Sequence, residues 1–266
     1  MAGHPPRAGK LRYFLWPLAL LASAFFTYPA PDAEGLVAAP AAQAVPVRPR
    51  IAVIDSGIAR TPELREAVVA EFDMAATPVR EAFRPQDDHG TMVATILLRE
   101  AKQPIEIISL RIDDPAGCPR GLSPPCQRSA EPVARAIRKA TELGVTAINI
   151  SLTLKDDPSI VDAVHDAAAQ GITVVIAAGN DGLDHPRNLS MAKAGFPNVV
   201  LVGALDAKGK PWKGTNRPQV GTPGYVYVWQ RGVDVPTVRA DGSKAFATGT
   251  SFAAPIQSAN LLLTQG

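Results

Sequence analysis

The chain has 266 residues, 46% of them hydrophobic, which suffices for one sizeable core and not for several. Its formal net charge is +2, yet residues 1–50 carry Arg7, Lys10, Arg12, Arg48 and Arg50 against only Asp32 and Glu34. The remainder is therefore close to neutral, so bulk charge gives no support to a nucleic-acid-binding role.

Three of those basic residues, Arg7, Lys10 and Arg12, precede an uncharged run from Tyr13 to Pro31. A positive segment followed by an apolar one is the pattern of export. Residues 1–30 therefore read as a signal peptide or a signal anchor. Ala22-Ser23-Ala24 offers a small-x-small cleavage site, and Ala42-Gln43-Ala44 a poorer one. Uncut, residues 13–31 are long enough to tether the chain to a membrane. In either case the residues beyond about 45 lie outside the cytoplasm, in a periplasm or the extracellular space. Residues 31–49 are rich in Pro and Ala and aperiodic, and read as a linker.

After the linker the pattern changes. Short apolar, β-branched runs recur at 51–55 (IAVID), 105–112 (IEIISLRI), 145–151 (VTAINIS), 172–178 (ITVVIAA) and 198–204 (NVVLVGA). Residues 132–143 and 160–170 between them carry helical periodicity, each ending at a glycine, Gly144 and Gly171. Cys118 and Cys126 lie in a Pro/Gly-rich stretch after the second apolar run. In an oxidising compartment they are expected to form a disulfide closing a short loop. Two cysteines without a nearby histidine supply too few ligands for zinc. Apolar runs alternating with helices are βαβ units, so residues 50–266 are expected to form one α/β domain. Its central sheet should be mostly parallel, with helices on both faces and right-handed crossovers. In such sheets chemistry belongs at the carboxyl ends of the strands.

Three residues in such places matter as a set. Asp55 ends the first apolar run in VIDSGI, His89 stands in DDHGTMVATIL, and Ser251 lies in ATGTSFAAPIQSANLLL. Singly each has an ordinary role: turn carboxylate, residue near the helix expected over 91–98, and helix N-cap, with Pro255 near that last helix's first turn. Jointly they supply a nucleophile, a base to take its proton and a carboxylate to orient the base. Asn180, after the run 172–178, and the backbone N–H of Ser251 would supply donors for an oxyanion.

The strings VIDSGI, HGTMVA, AAGNDG and GTSFAAP, in the order Asp, His, Asn, Ser, resemble the signature blocks of the subtilases. GVTAINISL and FPNVVLVGALDAKGK are similar to intervening segments of that family, so the likeness covers residues 50–262. It implies a subtilisin-like fold and a serine endopeptidase acting on an extended peptide through an acyl-enzyme. Ser251 would be the nucleophile, His89 the general base and acid, Asp55 its orienting carboxylate, and Asn180 an oxyanion donor. Ser151, Leu152 and Thr153 would form one wall of the substrate cleft and Ala177, Ala178 and Gly179 the facing one. Met191 would lie near its base. His4, His165 and His185 match no catalytic block.

Departures from the family pattern set further expectations. Ser151-Leu152-Thr153-Leu154 stands where relatives carry Ser-Leu-Gly-Gly, so Thr153 and Leu154 are expected to add bulk beside the cleft. Asp181 is read as a loop carboxylate, with attraction of a basic side chain as the alternative. The cysteine loop follows the strand that meets the P2–P4 side of a substrate in this family. About twenty residues before the domain are too few for the family's folded pro-domain, and the segment after the serine helix is short. No cofactor is expected. Relatives often hold structural calcium, but no loop here shows its ligand pattern. Two other functions fit the same residues: a catalytically silent binding module, and a membrane-tethered protease dedicated to one partner. Nothing in the sequence points to an oligomeric state.

Overall fold

The computed structural model describes residues 48–120 and 125–262. The targeting segment and nearly all of the linker lie outside the described residues. Seven strands form one sheet in the order β2-β3-β1-β4-β5-β6-β7. They are β1 (Arg50–Asp55), β2 (Val68–Asp73), β3 (Glu106–Arg111), β4 (Ala147–Ile150), β5 (Thr173–Ala177), β6 (Val199–Leu205) and β7 (Val226–Arg231). Every neighbouring pair is parallel. β8 (Val235–Val238) and β9 (Lys244–Ala247) make a separate antiparallel ribbon. The helices are α1 (His89–Glu100), α2 (Glu131–Glu142), α3 (Pro158–Ala169), α4 (Leu189–Ala194) and α5 (Thr250–Leu261).

β1 shows why the sheet needs cover on both faces. Ile51 and Val53 join one buried cluster, with side chains of α1 and α5, while Ala52 and Ile54 join another, with α2 and α3. Successive side chains of a strand alternate in direction, so an apolar run without alternating polar residues must be covered on both sides. α3 starts where Asp157 accepts the Ser159 N–H at 2.9 Å, and its Pro158 needs no N–H at that position. Gly144, after α2, takes a φ of +60°, as a helix stop requires.

The expected α/β class and parallel sheet are present, and the crossover rule is where the fold departs from expectation. The connections β2–α1–β3 and β3–α2–β4 both advance in the same direction across the sheet, yet α1 covers one face and α2 the other. They cannot share a hand. The β2–α1–β3 unit is the odd one, because β4–α3–β5 agrees with the α2 unit. Its consequence is local: α1 comes to lie against α5, so both helices share a face of the sheet. Asp55 ends β1 two residues after Val53, which faces that same layer.

Candidate active site

β1 ends in a carboxylate that is 1% exposed. Asp55 Oδ1 accepts the Ser56 N–H at 2.8 Å. His89 Nδ1 lies 2.8 Å from the same oxygen and 3.0 Å from Oδ2. A buried carboxylate beside Nδ1 requires a proton there, which leaves Nε2 as the basic nitrogen. Burial works against protonation of His89, but the charge and hydrogen bond of Asp55, with the charge of Asp87, outweigh it and hold the imidazole above its ordinary value.

The approach of α1 to β1 depends on Gly90. A Cβ there would stand 2.3 Å from the Gly57 carbonyl and 3.2 Å from Asp55 Cβ. Gly90 N–H instead donates to Ser56 Oγ at 3.1 Å, and Thr91 Oγ1 accepts from Ala59 N at 3.0 Å. Helix α1 begins at His89, two residues earlier than its expected start at Thr91.

Ser251 is the second residue of α5, whose N-cap is Gly249. The ordinary N-cap role considered for Ser251 is therefore excluded. Pro255 is the sixth residue of the helix, just beyond its first turn. Having no N–H, it leaves the Ser251 carbonyl without its usual partner four residues on. Ser251 is bracketed by two contacts. On one side the Phe252 ring packs against His89, with centroids 5.4 Å apart. On the other, Thr250 binds Asn180: Thr250 N–H and Oγ1 both donate to Asn180 Oδ1, at 2.8 and 2.9 Å. Ser251 Oγ makes no hydrogen bond to His89 among the described residues. A nucleophile–base bond is often completed only when substrate is present.

The Thr250 contacts also orient Asn180. Because the backbone N–H can only donate, the amide oxygen must face Thr250, and Nδ2 is left facing away. Nδ2 has no hydrogen-bond partner among the described residues. Thr250 Oγ1 also accepts Gly179 N–H at 3.2 Å, tying the loop after β5 to the start of α5. Gly249 has a φ of +150°, and a Cβ there would come within 3.1 Å of Asn180 Nδ2.

Two buried asparagines that sequence reasoning missed hold the cleft walls. Asn188, at a φ of +62°, donates from Nδ2 to the carbonyls of Leu152 and Ala177, each at 3.0 Å. Its Oδ1 accepts Leu154 N–H at 2.9 Å. One side chain thus joins the ends of β4 and β5. Asn216 is fully buried and accepts the N–H groups of Asp181 and Leu183, each at 3.0 Å. Its Nδ2 donates to Ala178 O at 3.1 Å and Asp181 Oδ2 at 3.2 Å. Neither residue lies in a motif; only the turn-prone settings PRN and GTN hinted at them. Thr250 was visible only as the residue before Ser251.

The expected bulk beside the cleft is corrected in part. Leu152 and Leu154 are buried in the core, and only Thr153 between them is exposed. Met191 is also fully buried. Ser151 Oγ accepts from Asn149 Nδ2 at 3.0 Å, and Asn149 Oδ1 accepts from Ser258 of α5 at 2.9 Å. Asp181 is matched by Arg187 at 3.1 Å. Burial opposes its ionisation, yet the Arg187 and Asn216 hydrogen bonds prevail and lower its pKa, so it stands as a loop carboxylate. His165 and His185 are exposed and sit beside Asp166 and Asp184, away from the Asp55–His89 pair. Cys118 and Cys126 are joined in a disulfide. Among the described residues no helix is long and apolar enough to cross a membrane, and no group of three or more His, Cys, Asp or Glu is placed to hold a metal ion.

The chain is similar to known proteins in both sequence and fold. The model of the Subtilase family matches residues 48–266. A thermophilic serine proteinase of Bacillus sp. (strain AK1) is 32% identical over 222 residues, covering 81% of this chain and 52% of the relative. Subtilisin-like protease 2 of Trichophyton verrucosum is 34% identical over 126 residues, covering 46% of this chain and 28% of the relative. The chain thus spans about half the length, or less, of these relatives. Among solved structures, patellamide maturation protease PatA superimposes with a TM-score of 0.60 at 25% identity, covering 82% of this chain and 79% of that one. A cold adapted subtilisin-like serine proteinase gives a TM-score of 0.65 at 19% identity, over 81% and 76% of the two chains.

Proposed function

The chain belongs to the subtilase family, and from that premise we propose that it is an exported serine endopeptidase using Asp55, His89 and Ser251. The observation that carries the reading is the buried Asp55–His89 pair, 2.8 Å apart at the end of β1, next to a serine bracketed by Phe252 and Thr250. His89 Nε2 takes the Ser251 proton as Oγ attacks the scissile carbonyl carbon, and the carbonyl π electrons move to oxygen. Asp55 keeps the ring in the required tautomer and stabilises the imidazolium. Asn180 Nδ2 and the Ser251 N–H, at the positive end of α5, face the oxyanion. Collapse of the tetrahedral species returns the proton from His89 to the leaving amine. Water then repeats the sequence on the acyl-enzyme and frees Ser251. The substrate lies extended between residues 151–153 and 177–179, pairing with their backbone.

The test is covalent labelling by a phosphonate probe for active-site serines. Labelling of the wild-type protein and none of Ser251→Ala is expected. Wild-type protein as inert as Ser251→Ala, with its fold intact by circular dichroism, would leave only a silent binding module. Export is checked by N-terminal sequencing of the protein recovered outside the cytoplasm. A start near Phe25 or Val45 means release, and an intact Met1 means a tether.

A further inference from the structure

We propose that Asn149 and Ser258 are positioning residues for the reaction, forming a buried crossbar that fixes the strand end at Ser151 against the helix that carries Ser251. The assignment rests on the peptidase reading above and gives a role to two residues outside the triad and the oxyanion donors.

Asn149 stands in β4 beside Val53 of β1 and Val175 of β5. Val53 belongs to the buried cluster that holds Phe252, Ile256 and Ala259 of α5, and Val175 to the one that holds Ala253 and Ala254. The amide therefore lies under α5, in the seam between two apolar clusters. Asn149 and Ser258 are fully buried, and Ser151 is 1% exposed. Side chains two apart in extended chain share a face, and Asn149 Nδ2 accordingly reaches Ser151 Oγ at 3.0 Å. Side chains seven apart on a helix also share a face, two turns or about 10 Å apart. Ser258 thus continues the helix face that begins with Ser251.

The energetics of this crossbar favour geometry over stability. An amide and a hydroxyl buried among apolar residues cost free energy unless bonded, and an apolar pair of the same shape would hold α5 to β4 about as well. What the polar pair adds is a fixed register. Dispersion contacts tolerate a slide along the helix axis, whereas the 2.9 Å bond from Ser258 Oγ to Asn149 Oδ1 does not. The same hydroxyl lies 3.2 Å from the Ala254 carbonyl of its own helix. α5 has particular need of an anchor, because Pro255 leaves the Ser251 carbonyl without its helical N–H partner. Thr250 and Phe252 set the first turn against Asn180 and His89. Asn149 and Ser258 set the same helix against the strand on which the peptide lies.

The experiment compares two readouts in wild type and Ser258→Ala, at one temperature well below both melting points. One is kcat on an extended peptide; the other is labelling by a small phosphonate probe with no peptide portion. The probe needs the triad and the oxyanion donors, and the peptide also needs the strand end at 151–153. Ser258→Ala is expected to lower kcat on the peptide by about tenfold, inside the roughly 10²-fold cost of a misplacement of about 1 Å. KM should change little, and the labelling rate should stay within about twofold of wild type, because the nucleophile and its base are untouched. A purely structural role would lower the melting temperature and leave the ratio of the two rates unchanged. Wild-type kcat in Ser258→Ala overturns the inference, as does an equal loss in both readouts. If Ser258→Ala fails to fold, Asn149→Leu combined with Ser258→Ala removes donor and acceptor together and is read in the same way. Wild-type protein that neither labels nor cleaves refutes the peptidase reading instead.

Discussion

Replacing Thr250 with valine keeps the shape of the side chain and deletes one hydroxyl. That hydroxyl accepts Gly179 N–H at 3.2 Å and donates to Asn180 Oδ1 at 2.9 Å. Two costs follow. The Gly179 N–H becomes a buried donor without a partner, which destabilises the fold by about 1–3 kcal/mol. Asn180 loses one of the two contacts that orient it and keeps the Thr250 N–H at 2.8 Å. Removing a single oxyanion donor outright lowers kcat by about 10²–10³, a range that comes from subtilisin, another member of this family. A donor that is loosened but present should cost about tenfold. Steady-state kinetics should show the loss in kcat with KM little changed, since the oxyanion forms after binding. Asn180→Ala should cost less in the Thr250→Val background than alone, with a coupling of about 1 kcal/mol. Wild-type kcat in Thr250→Val, or additivity within about 0.3 kcal/mol in the cycle, would refute the orienting role.

Ser251→Ala should lower kcat by about 10⁶, again the size known for subtilisin, with the melting temperature nearly unchanged. Because His89 is held above its ordinary 6.5 and must be neutral to act, kcat/KM should rise with pH through an apparent pKa above that value. Asp55→Asn should move that limb downward and cut kcat by about 10⁴, readable in one pH–rate series. The raised pKa also means that His89 stabilises the fold below pH 6.5 and that this contribution disappears as pH rises through the folded value; urea midpoints against pH, wild type against Asp55→Asn, check it. Gly90→Ala should destabilise by about 1–3 kcal/mol and abolish activity, because the new methyl would meet the Gly57 carbonyl at 2.3 Å.

Most of the sheet was legible because its strands are largely apolar: 51–55, 105–112, 145–151, 172–178 and 198–204 each coincide with an observed strand to within one or two residues at either end. Strands that mix polar residues into the run were not. β2 reads VVAEFD, and its Glu71 is spent on contacts no local pattern reveals: its oxygens accept Ile58 N–H, Phe83 N–H and the Ser109 hydroxyl. β7, at the sheet edge, is only half-buried, so its alternation is weak. For the candidate site, the chemistry-bearing side chains were legible as motifs. Their supports were not, because Asn188 and Asn216 act through side-chain bonds to carbonyls and N–H groups far away in sequence. A lone asparagine in a loop carries no mark of that work.

The reversed hand of β2–α1–β3 explains why the assembly needs an exception to a strong rule. His89 and Ser251 lie 162 positions apart in the chain, each in the first turn of a helix. With the usual hand, α1 would cover the face occupied by α2 and α3, and His89 would be separated from α5 by the thickness of the sheet, roughly 10 Å or more. Placed on the α5 face, α1 aims its first residue at the same strand end as α5, so one buried carboxylate on β1 reaches the base while Phe252 of α5 packs on its ring. Gly90 is what allows that approach at contact distance.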